Sequence, residues 1–182
     1  MIRPTFREAA IRRFLLILRI IWGVLGLSAL VYVGISVWLT RTMKPIFTSD
    51  VAATLTPALY TIAVATALYT VWLRRALAPE RLAAAASATP APAASGSPLA
   101  PGLSPENDAE RRALLVMSRL MAQSIPLWAW AESLALYGLV LSLGTGDARH
   151  ATGLGAATLV LLGMYAPARG RLDAVLAAVP PR

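Results

Sequence analysis

Residues 20–39 read IIWGVLGLSALVYVGISVWL, twenty positions without a charge. A helix needs about 20 apolar residues to cross the roughly 30 Å hydrocarbon core of a bilayer, so this stretch is long enough to span one. Three more stretches follow: Val51–Leu73 and Ala151–Ala168 without a charge, and Ile125–Leu143 with a single one. The composition agrees. Of 182 residues, 57% are hydrophobic and 14% are charged, whereas a water-soluble domain carries about 25% charged residues. The expected fold is all-α and integral to a membrane, with four transmembrane helices arranged as two hairpins.

The basic residues orient these spans. Segments on the cytoplasmic side carry an excess of Lys and Arg, and acidic residues hardly enter the count. Arg3, Arg7, Arg12, Arg13 and Arg19 precede the first span; Arg74, Arg75, Arg81, Arg111, Arg112 and Arg119 lie between the second and third; Arg169, Arg171 and Arg182 follow the fourth. That makes 14, against only Arg41, Lys44 and Arg149 in the other two loops. Both termini are therefore expected in the cytoplasm, with the chain in a bacterial inner membrane. The run Phe14–Leu39 is too long for the apolar core of a signal peptide, about 7–15 residues, and is expected to remain as an anchor. The net charge of +8 sits at span ends, so no nucleic-acid partner is expected. Trp22, Trp38, Trp72, Trp128 and Trp130 fall near span ends and suit an interfacial belt.

The hairpins occupy residues 1–78 and 106–182. Pro79–Pro105 is rich in Ala, Pro, Ser and Gly, has little to bury and reads as a disordered cytoplasmic linker. Each hairpin is expected to begin with a helical stem. Thr5-Phe-Arg-Glu8 fits a capping box, and Ser104 with Pro105 fits a helix start. Leu114, Met117, Met121 and Ile125 then recur at helical spacing, and Pro126 is placed to bend that helix. Small residues let membrane helices approach closely. Gly26 and Gly34, Gly155 and Gly163, and Ala131, Ala135, Gly138 and Ser142 are the candidate packing positions.

Several activities are disfavoured. There is no cysteine, which removes disulfides and thiolate chemistry, and the single His150 cannot build a histidine cluster. No phosphate loop or nucleophile elbow is present. Asp50, Asp147 and His150 are too scattered on the outer side to suggest a lipid-acting enzyme. No enzyme activity, cofactor or metal is expected.

Glu132 is the one charged residue within the spans. A carboxylate near mid-bilayer costs roughly 3 kcal/mol or more unless neutralised or paired, so such residues tend to mark function. At 1.5 Å per residue it lies about 10 Å inside the cytoplasmic boundary. Thr66 and Ser28 match that depth, and Tyr69 and Tyr165 lie within reach of it. No Arg or Lys does, so the neutral acid is expected in dry surroundings.

The sequence Ala131-Glu-Ser-Leu-Ala-Leu-Tyr137-Gly138-Leu-Val resembles the second helix of the ATP-synthase c subunit and related rotary proteolipids. There an intramembrane Glu precedes Tyr-Gly by five and six residues. The resemblance implies a proton-carrying role for Glu132, with Tyr137 and Gly138 as its motif neighbours. It covers about a dozen residues, and Val51–Leu73 lacks the glycine series of that family's first helix. As a whole the chain looks like bacterial four-span membrane proteins with a glutamate in the third helix. The expected function is a non-catalytic scaffold or accessory subunit, contacting the lipid bilayer and a membrane-protein partner or further copies of itself. The alternative is a proton-linked channel, transporter or proteolipid-like subunit using Glu132.

Overall fold

The structure, a computed structural model, describes residues 2–74, 78, 81 and 105–177. The expected linker over 79–105 lies outside the described residues except for Arg81 and Pro105, and so does the expected cap Ser104. Among the described residues the regular structure is helical: α1 (Pro4–Thr42), α2 (Ser49–Leu73), α3 (Asp108–Thr145), α4 (Arg149–Met164) and α5 (Arg169–Ala177). Helices α1, α2 and α3 are each long and apolar enough to cross a membrane. A fourth crossing is reached if α4 and α5, bent by 45° at their junction, count as one.

Two compact units divide these helices, and each draws on both halves of the chain. Among the described residues, unit 1 comprises the start of α1 (to Ile21), those within 74–125, and 167–177. Its core repeats at three- and four-residue spacing, the signature of helices that share an apolar stripe. Phe6, Ala10, Phe14 and Leu18 come from α1, Ala113, Met117 and Leu120 from α3, and Leu172, Val175 and Leu176 from α5. Ion pairs ring this core. Arg7 meets Asp173 at 2.9 Å and Arg169 meets Glu8 at 2.6 Å.

Two local expectations are revised in unit 1. Pro4 occupies the first turn of α1, which suits a residue without an N–H and moves Thr5 into the helix. Glu8 pairs with Arg169 rather than closing a capping box. At the start of α3, Asn107 Oδ1 accepts the Glu110 N–H at 2.9 Å, so the cap is Asn107 and the helix opens at Asp108. Asparagine caps as well as serine does. Helix α3 then continues through Pro126.

Unit 2 comprises Trp22–Leu73 and Pro126–Ala166. Helix α3 is its most enclosed element: half of its apolar window is buried, against 17% for α1 and 11% for α2. Helices α3 and α4 cross at Gly138, where an added Cβ would lie 2.9 Å from the Ala151 Cα. At Gly155 of α4 a Cβ would collide with Val33 of α1. Ala131, Ala135 and Ser142 are fully or almost fully buried on the same side of α3.

Gly26, Gly34 and Gly163 do not sit at such crossings, since a Cβ on any of them would meet nothing within 4 Å. Eight residues turn a helix through about 800°, some 80° beyond two full turns. Partners eight apart therefore drift off a shared face. In α1 the buried positions of unit 2 are Ala29 and Ser36.

Helix α4 covers Arg149–Met164, shorter than the expected Ala151–Ala168. Pro167 disfavours helical backbone in the residue before it, and Tyr165 takes the C-cap. At the other end of α3, Gly146 adopts φ +75° and stops the helix. The α1–α2 loop docks beside it through Phe47 N–H to Gly144 O at 2.9 Å, its ring filling the space a Gly144 side chain would need.

Candidate functional site at Glu132

Unit 2 contains polar groups that must be satisfied within a largely apolar interior, because an unpaired buried polar group costs about 1–3 kcal/mol. Helices supply partners to one another. Ser142 Oγ on α3 accepts the Ala151 N–H in the first turn of α4 at 2.8 Å. Thr158 Oγ1 on α4 lies 3.1 Å from Ala131 O on α3, sharing its proton with Leu154 O.

The far end of α4 is closed by indoles. Trp22 Nε1 donates to Leu162 O at 2.8 Å, and Trp128 Nε1 donates to Tyr165 O at 3.2 Å. The last carbonyls of a helix are short of intrahelical donors; Leu162 O also takes the Tyr165 N–H at 3.2 Å, and the indoles add a donor to it and to Tyr165 O. Trp128 is 2% exposed, so it belongs to the packed interior and not to a belt. Trp38, Trp72 and Trp130 are exposed. Tyr60 and His150 pair at the opposite end of α4, the phenol oxygen 2.9 Å from Nδ1.

Glu132 is half-buried on α3 and hydrogen-bonds through Oε1 to Ser28 Oγ on α1. Ser28 Oγ also lies 2.8 Å from Leu25 O. A serine hydroxyl has one proton and two lone pairs. It can donate to the Leu25 carbonyl while accepting from a protonated Glu132, or turn and donate to an ionised one. The pair thus serves either protonation state by rotation of one hydroxyl.

The other depth-matched residues lie elsewhere. Thr66 is buried on α2, where its carbonyl accepts from Thr70 at 2.7 Å. Tyr69 is exposed, stacked on Trp72 at 5.8 Å and edge-on to Trp130 at 5.9 Å. Tyr165 is buried and directs its hydroxyl to the Thr70 carbonyl at 3.4 Å. Among the described residues, only Ser28 of the four shows a hydrogen bond to Glu132. Depth along a helix is readable from residue number, but the side of the helix that meets a neighbour is not. Tyr137 is half-buried, and Gly138 is the α3–α4 crossing point.

Unit 1 holds a second ionic centre that the sequence did not single out. Glu110 is fully buried and accepts both ends of the Arg3 guanidinium, Nε at 2.7 Å and Nη2 at 3.0 Å. The Glu106 N–H adds a bond at 2.9 Å, and the Glu106 carboxylate pairs with Arg3. The bond from Arg3 holds the Glu110 carboxyl down at about 2, against the opposing effect of burial. The Asn107-x-x-Glu110 spacing, which is that of a capping box, marks the helix start but not the partner of Glu110.

Among the described residues no cluster of His, Asp or Glu suits a metal ion. No family model, curated protein or solved structure matches the chain.

Proposed function

We propose that the protein is a multi-pass inner-membrane protein, with four spans and both termini in the cytoplasm, acting as a non-catalytic accessory or scaffold subunit of a membrane complex. The observation that carries this reading is the state of α2. It is a 25-residue apolar helix that buries only Ala63, Thr66 and Thr70. Ile62, Val64, Leu68 and Val71 are left uncovered. An apolar surface of that extent calls for lipid or another protein. The interior hydroxyls and indoles meanwhile join one helix to the next, which is the work of a scaffold. Indole donors at Leu162 O and Tyr165 O suit a helix end held away from water. Purification in mild detergent tests the reading. The chain is expected to migrate at fixed stoichiometry within a larger assembly, and a partner-free chain forming a stable ring would overturn it.

The Glu132–Ser28 pair favours a second reading, a proton-linked subunit. On that reading Glu132→Gln abolishes proton flux in proteoliposomes while leaving the fold intact. On the scaffold reading Glu132→Gln leaves assembly unchanged, and Ser28→Ala costs only about 0.6 kcal/mol, the average for a membrane hydrogen bond.

A further inference from the structure

Unit 1 treats its arginines in two ways. Arg3, Arg7 and Arg169 are held by Glu106 and Glu110, Asp173, and Glu8. Arg12 and Arg19 are exposed, and among the described residues neither has an acidic partner. Glu8, one turn before Arg12, is already engaged by Arg169.

Arg12 and Arg19 are seven residues apart, about 20° short of two turns and about 10 Å along the axis, so they share one face of α1. The same face presents Leu16 and Ile20, 59% and 57% exposed. A free anion would satisfy the charges and leave both aliphatic side chains in water. A bilayer surface satisfies both kinds of group, with phosphates for the guanidinium groups and acyl chains for the side chains, the arrangement of an interfacial helix. The uncharged run of the sequence also begins at Ile20, which sets Arg19 at the level where headgroups meet hydrocarbon.

We infer that Arg12 and Arg19, with Leu16 and Ile20 on the same face of α1, bind the phosphate of an anionic phospholipid in the cytoplasmic leaflet. The site rests on the chain residing in a bilayer. Carbonate extraction of membranes reports that separately, and release of the chain would overturn both the membrane reading and the site.

The test uses the full chain in mild non-ionic detergent, titrated with phosphatidylglycerol or phosphatidylcholine and read by native mass spectrometry. Phosphatidylglycerol is expected to be retained preferentially, and the preference should fall as salt is raised. At about 1 kcal/mol per basic residue near an anionic surface, Arg12→Gln with Arg19→Gln should weaken that retention about 30-fold. The charge-keeping pair Arg12→Lys with Arg19→Lys should retain most of it, which separates loss of charge from loss of fold. Equal retention of the two lipids in a chain that resists extraction would overturn the site alone. So would full retention by the glutamine pair, or displacement of the lipid by an equal concentration of inorganic phosphate.

Discussion

At the residue scale, the glycines divide by what surrounds them. Gly138 faces the backbone of α4, where an added methyl would come within 2.9 Å of a Cα atom that cannot rotate away. Gly138→Ala is therefore expected to force α3 and α4 apart and cost about 1–3 kcal/mol, the range for overpacking. Gly26→Ala adds its methyl in open space and should be neutral or stabilising by up to about 1 kcal/mol, because alanine favours helix. Thermal unfolding of the two variants in the same detergent checks the contrast, and equal effects would contradict it. Glu110 gives a second expectation. Its carboxyl is held at about 2 by Arg3, below an ordinary value near 4.5. A depressed carboxyl stabilises the fold fully above its ordinary value and loses that contribution as pH falls through its folded value. Unit 1 should thus weaken progressively between about pH 4.5 and 2. Melting temperatures followed down the pH scale should show this limb in the native chain and lack it in Glu110→Gln. Removing the guanidinium with Arg3→Gln should lower the unfolding temperature at neutral pH, because the buried Glu110 carboxylate loses its charged partner.

At the scale of elements, α4 has only 16 residues, about 24 Å of helix. Its ends are finished by other helices, with Ser142 at the start and Trp22 and Trp128 at the finish. Trp128→Phe keeps an aromatic ring but deletes the donor, leaving the Tyr165 carbonyl with one partner fewer. The expected loss is about 1–3 kcal/mol, read as a lower unfolding temperature. A variant as stable as the native chain would show that the indole N–H is dispensable. Helix α5 shows the converse dependence. The segment RGRLDAVLA is nine residues long, too short to hold a helix by itself in water. Burial of Leu172, Val175 and Leu176, with ion pairs to α1 through Asp173 and Arg169, holds it in place.

For the whole molecule, the proposed topology follows from the distribution of arginine. Reporter fusions at residue 95 and at the C-terminus should signal cytoplasm, and a fusion at residue 147 should signal periplasm. A periplasmic C-terminus would defeat the four-span arrangement, and would do so whatever the role of Glu132.

By itself the sequence determined that this chain is helical and where its long apolar helices lie. Length, hydropathy and the absence of charge are local properties, so Ile20–Leu39 and Val51–Leu73 fall within α1 and α2. It also located Glu132 along α3, since residue number measures distance along a helix. The tertiary structure alone decided which of the depth-matched groups meets Glu132, which glycines lie at crossings, where α4 stops, and that α5 closes a core with the starts of α1 and α3. Each of these depends on which side of a helix faces its neighbour. Rotation about a helix axis is settled by packing between segments distant in sequence, as with Arg3 and Glu110, 107 positions apart, and spacing within one segment does not encode it.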